Sequence, residues 1–92
     1  MKIRQWGKPE PEPGMFVFFC PGCKELHHYD PRWTFNGDME RPTFTPSLLH
    51  PRPNHKTCHL FLTDGVIQFL PDCEHELAGK SVPLPELPEW AY

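Results

Sequence analysis

The residues of this sequence best suited to chemistry are its four cysteines, the first two of which stand at Cys20-Pro-Gly-Cys23. In a Cys-x-x-Cys knuckle a tight turn brings two thiolates and free backbone amides to one ion, half of a tetrahedral zinc site. Cys58 and Cys73 supply the other half if the chain between them folds back on itself. Four soft donors with no spare cysteine match a closed structural Zn2+ site, so the expected ligands are Cys20, Cys23, Cys58 and Cys73. A histidine follows each cysteine group, at His27, His59 and His75. A mixed Cys/His set is therefore the alternative, with His75 as the replacement ligand. Free buried thiols or one disulfide are the competing readings. A thioredoxin-like pair lacks its usual strand–helix surroundings here. The three histidines could also hold a second, open-position ion, against the commoner fate of solvated or hydrogen-bonded imidazoles.

A second chemistry centres on Ser47, held between Pro46 and Leu48 in an apolar extended stretch. A hydroxyl nucleophile needs a base within hydrogen-bond reach and a group that orients the base. His59 is the candidate base and Asp72 the candidate orienting group. The competing reading is a serine bonded to nearby backbone, or an Asp72 that caps a helix.

These residues need elements to hold them. The clearest is a hairpin, in which Cys58–Thr63 and Val66–Leu70 flank Asp64-Gly65, a dipeptide favoured in two-residue type I′ turns. That turn pairs Leu62 with Ile67, Leu60 with Phe69 and Cys58 with Pro71. Cys73 falls on the same side if the strand continues, while His59 points to the other face with Asp72 diagonal to it. Met15–Phe19 reads as a buried strand. Leu26–Tyr29 and Arg32–Phe35 are shorter strands, the latter followed by an Asn36-Gly37 turn. Arg41–Leu49 is extended, because each proline biases its predecessor away from the helical region, and His50–Lys56 reads as a surface loop. Asp72–Gly79 can form one or two helical turns, in competition with a longer strand.

The whole is expected to be one zinc-stabilised domain over residues 1–92. Residues 1–14 form an extended proline-rich lead-in and residues 81–92 an extended tail. At 92 residues a hydrophobic core alone gives marginal stability. The 13 prolines and 6 glycines exclude long helices. The expected class is a small all-β or β-rich zinc-binding domain, with short antiparallel strands and hairpins and at most one short helix.

A net charge of -3 leaves no footprint for nucleic acid, the Arg52–Lys56 stretch being the one weakly basic run. No apolar run is long enough to span a bilayer, and no signal-like segment follows Met1. A soluble cytoplasmic protein is expected. Trp6, Trp33, Trp90 and Tyr92 suit a protein partner, or equally the covering of a thin core.

Taken together, Cys20-Pro-Gly-Cys23, Trp33–Asp38, Pro42–Leu48, Cys58-His59, Asp64–Leu70 and Asp72–Gly79 resemble a family of small phage and prophage zinc-binding proteins. Many of these carry the label ammonia monooxygenase. The resemblance covers about residues 16–84. The label does not suit this chain, which has no membrane span and whose thiols fit zinc better than an oxygenase copper. That family in turn is similar to peptidases encoded beside bacterial ubiquitin-like conjugation genes. This implies Ser47 as nucleophile and His59 as base, in a bacterial host cell. Those relatives differ by carrying one residue between the Cys and the His, and an extra cysteine in the first turn in place of Cys73. The expectation is a zinc-stabilised interaction module with a protein partner. The alternative is a zinc-supported serine peptidase.

Overall fold

The protein is described by a computed structural model over residues 1–7, 10–50 and 57–91. Residues 51–56 of the expected loop, Lys8 and Pro9 of the lead-in, and Tyr92 lie outside the described residues. Among the described residues, eight strands form two antiparallel sheets, and the one helical element is a short 3-10 turn, Glu89–Ala91. The all-β expectation holds.

The first sheet has the order β1-β2-β3, with β1 at Ile3–Gln5, β2 at Phe16–Cys20 and β3 at Glu25–Tyr29. The lead-in is thus partly a strand, because Ile3 pairs with Phe18 and is buried in the core. The second sheet runs β4-β5-β6-β7-β8. Its strands are Thr34–Phe35, Phe44–His50, Cys58–Thr63, Val66–Phe69 and Ser81–Pro83.

The two sheets bury their apolar sides in one cluster. Phe16, Phe18 and Tyr29 of the first sheet share it with Phe44, Leu48, Leu60, Leu62, Ile67 and Phe69 of the second. Tyr29 joins the layers, its ring stacked on Phe44 with centroids 4.0 Å apart. Leu84 and Leu87 of the tail are buried as well.

The β6–β7 hairpin has the expected register, with Leu62 opposite Ile67 and Leu60 opposite Phe69. Asp64 and Gly65 both adopt positive φ, 49° and 75°, as a type I′ turn requires. Apolar residues at alternate positions face the core, and His59, Phe61 and Gln68 face away from it.

β5 departs from regular pairing at the point that matters most. Phe44 pairs with Leu62 and Leu48 with Leu60, so Thr45, Pro46 and Ser47 together stand against Phe61 alone. Pro46 has no amide to give a ladder, and an irregularity is where a strand tolerates it. Such bulges re-aim side chains and are frequent beside active sites.

Beyond Phe69 neither the longer strand nor the helix forms. β7 ends there, and residues 71–79 are a series of turns closed by Cys73 N–H to Leu70 O, Ala78 N–H to His75 O and Lys80 N–H to Leu77 O. Asp72 therefore caps no helix. Cys73 and His75 are buried by contacts with other parts of the chain, and these hold the segment in its irregular path.

Candidate active site and metal centre

The knuckle Cys20-Pro-Gly-Cys23 joins β2 to β3. Lys24 at φ 58° turns the chain, and its amide closes the loop on Cys20 O at 2.7 Å. The Cys23 amide points at Cys20 Sγ, 3.4 Å away. Cys58, the first residue of β6, brings its Sγ to 3.8 Å from Cys20 Sγ. His75 completes the group, with Nε2 3.6 Å from Cys58 Sγ.

Among the described residues, one donor atom each from Cys20, Cys23, Cys58 and His75 lies within 4.8 Å of all the others. This is the spacing of a group that could hold a metal ion, and three thiols with one imidazole are a known closed zinc set. Gly22 supplies independent evidence of fit. A Cβ at that position would lie 2.2 Å from His75 Cε1 and 2.4 Å from Nε2, so the knuckle admits the imidazole because residue 22 has no side chain. Phe69 braces the ring edge-on at 4.6 Å.

The group differs from the four-cysteine expectation in one member. Cys73 does not join it. Its thiol accepts the His59 amide at 3.2 Å and donates to the His59 carbonyl at 3.0 Å. The chain turns at Pro71-Asp72 instead of continuing as a strand, and His75, not Cys73, comes within 4.8 Å of the other three donors. His75 is legible in the sequence as the alternative ligand, whereas nothing in the local spacing marks Gly22 as the residue that admits it.

The thiols do not behave alike. Cys20 is held down to about 4, chiefly by the hydrogen bond from the Cys58 thiol, against the opposing effect of burial. Cys23 is pushed up to about 12, first by burial and then by the charge on Cys20. Cys58 is pushed up, first because it donates its proton to Cys20 and then by burial. A cation held by this group would meet one thiolate already formed and would displace the protons of the other two thiols.

On the opposite face of the same sheet, Ser47 Oγ lies 3.1 Å from His59 Nε2. His59 Nδ1 lies 3.0 Å from Asp72 Oδ2 and 3.2 Å from Oδ1. Ser47 and His59 are half-buried and Asp72 is exposed. The β5 irregularity turns the Ser47 side chain to the outer face, and Trp33 Nε1 holds its carbonyl at 3.3 Å. With Nδ1–H donated to Asp72, His59 presents the Nε2 lone pair to the Ser47 hydroxyl. A serine beside an imidazole that is oriented by a carboxylate is the arrangement that activates a hydroxyl for attack on a carbonyl.

Sequence neighbours tie the two sites together. Cys58 precedes His59, and Asp72 precedes Cys73, whose thiol grips the His59 backbone. Two of the remaining histidines also lie inside the fold, His27 fully buried on β3 and His75 in the metal group. His27, His59 and His75 therefore do not converge on one ion. Of the exposed-aromatic candidates, Trp90 is exposed, while Trp6 and Trp33 are half-buried.

Among the described residues no helix is long and apolar enough to cross a membrane. The model of one protein family, described as bacterial ubiquitination-like system serine protease (BubE), matches residues 3–70. That span contains Cys20, Cys23, Ser47, Cys58 and His59, while Asp72, Cys73 and His75 follow it. No significant match occurs among curated proteins or solved structures.

Proposed function

Since the chain belongs to the bacterial ubiquitination-like system serine protease family, we propose that it is a zinc-supported serine peptidase acting on a protein of such a system. Ser47 is its nucleophile, His59 its general base and Asp72 the group that orients His59. The observation that carries this reading is the continuous contact from Ser47 Oγ through His59 to Asp72, at 3.1 and 3.0 Å. The peptidase displaces the interaction module as the leading reading, because a solvated serine and histidine have no reason to meet across a bulge with a carboxylate behind them.

In this mechanism Ser47 Oγ attacks the scissile carbonyl carbon while its proton passes to His59 Nε2. Asp72 holds the Nδ1–H and stabilises the charge that develops on the ring. His59 then returns the proton to the leaving amine, so the C–N bond breaks and an acyl-serine remains. A water, deprotonated by the same imidazole, attacks that ester and frees Ser47.

Cys20, Cys23, Cys58 and His75 would hold the Zn2+ ion, which when bound would neutralise the thiolates and tie the β2–β3 knuckle to the start of β6. Its role would be structural, since four protein donors would leave no open position. The residues that position His59 then stand on a fixed frame, which a catalytic group requires.

A fluorophosphonate probe tests the reading directly. It should label the wild-type protein stoichiometrically and leave Ser47→Ala unlabelled, with both proteins carrying zinc and equally folded. Labelling that persists in folded Ser47→Ala, or no labelling of folded wild type, overturns this mechanism.

A further inference from the structure

His27 stands next to the metal group without belonging to it. The β2–β3 register pairs Cys20 with Glu25 and Phe18 with His27, so Glu25 and His27 project from the same side of β3. His27 is wholly buried, and neither Nδ1 nor Nε2 has a hydrogen-bond partner. Its ring is held by aromatic neighbours, His50 stacked at 4.3 Å and Phe18 edge-on at 5.7 Å. Nearly all buried polar side chains find a partner, and one that does not calls for an explanation such as an ion.

The explanation lies across the knuckle. Donor atoms of Cys23, Glu25 and His27 come within 4.8 Å of one another. Cys23 and Glu25 are half-buried, so the group opens towards solvent on one side while His27 closes it from within. Thiolate, carboxylate and imidazole are all zinc ligands, and the sulfur and nitrogen donors disfavour magnesium and calcium.

We infer that Cys23, Glu25 and His27 form a second zinc site, in which the Cys23 thiolate bridges to the structural ion. The site offers three protein donors and therefore leaves a coordination position open, unlike its closed neighbour. Its ion exchanges with solvent zinc through the Glu25 side, whereas the structural ion is enclosed by buried Cys20, Cys58 and His75. The inference goes beyond the peptidase reading and shares with it the assignment of Cys23 to the structural zinc.

Zinc counting separates the two assignments. The purified full-length chain is titrated with zinc chloride and examined by native mass spectrometry and elemental analysis, with folding followed by circular dichroism. Wild type should bind two ions, one of which is lost first to a mild chelator. His27→Gln should bind one. Glu25→Gln, changed at a half-exposed position, should hold its second ion at least tenfold more weakly. Saturation of folded wild type at one ion overturns this inference and leaves the structural zinc standing. Equal zinc content in His27→Gln and wild type overturns it too. If folded His27→Gln loses every ion, His27 belongs to the structural site and there is no second one. A folded wild type that binds no zinc defeats both assignments. Should His27→Gln fail to fold, the Glu25→Gln titration decides alone, and an unchanged second affinity there overturns the inference.

Discussion

Cys73 Sγ is bonded to both backbone groups of His59, 3.2 Å from the amide nitrogen and 3.0 Å from the carbonyl oxygen. One thiol thereby fastens the segment that carries Asp72 to the strand that carries the candidate base. Cys73 is engaged in this clamp, and the group that could hold a metal has His75 as its fourth member.

Replacing Cys73 tests the clamp against ligation. Cys73→Ala should keep the wild-type zinc content at the structural site. It should lose stability by about 1–3 kcal/mol, because the His59 amide is left without its acceptor. Hydrolysis should fall as His59 and Asp72 drift apart, and Cys73→Ser should restore much of it. Thermal unfolding, elemental analysis and probe labelling rates read the three effects. Loss of the structural zinc in Cys73→Ala would return Cys73 to the ligand set.

Asp72→Asn should slow labelling and turnover without removing Ser47 reactivity altogether. A buried orienting carboxylate in a serine protease contributes about 10⁴-fold. The Asp72 side chain is 58% exposed, so water can partly replace it and a loss of roughly 10²–10³-fold is expected. A rate equal to wild type would remove Asp72 from the relay.

Gly22→Ala should damage the metal centre though residue 22 holds no donor. Its Cβ would meet the His75 ring at 2.2 Å, so either the knuckle or the imidazole must move. Zinc affinity should drop by at least an order of magnitude, since ligand geometry must stay close to tetrahedral. His75→Ala should do the same by removing the donor. Competition with a chromophoric chelator measures both.

Zinc binding should weaken as pH falls. Cys20, held at about 4, is already a thiolate at neutral pH, whereas Cys23, at about 12, and Cys58, also raised, still carry protons. Binding must displace those two protons, so protons compete with the ion. The affinity should fall about a hundredfold per unit between roughly pH 8 and pH 6. A pH-independent affinity would mean that these thiols do not ligate. Chelation at fixed pH should also lower the unfolding temperature and abolish probe labelling together.

Much of this protein was written locally. Asp64-Gly65 between two alternating apolar segments fixed the β6–β7 register, because the type I′ turn and the pleat leave no freedom once one face must be buried. That register alone turns His59 away from Cys58, since neighbouring strand residues point to opposite faces. The Cys20–Cys23 knuckle and the all-β class were equally legible from spacing and from the prolines.

Past Phe69 the local rules ran out. The sequence allowed a strand, which would carry Cys73 to the cysteine side, or a helix capped by Asp72. The turns that formed are held by contacts from distant residues, with His75 lodged over Gly22 and Cys73 bound to His59. The meeting of Ser47 with His59 was likewise decided in three dimensions. It depends on a bulge in β5 opposite Phe61, where Pro46 breaks the ladder and re-aims the next residue. Local pattern determined which residues could do chemistry and on which faces they stand. Packing between segments far apart in the chain decided which of them touch, because no short-range periodicity encodes those distances.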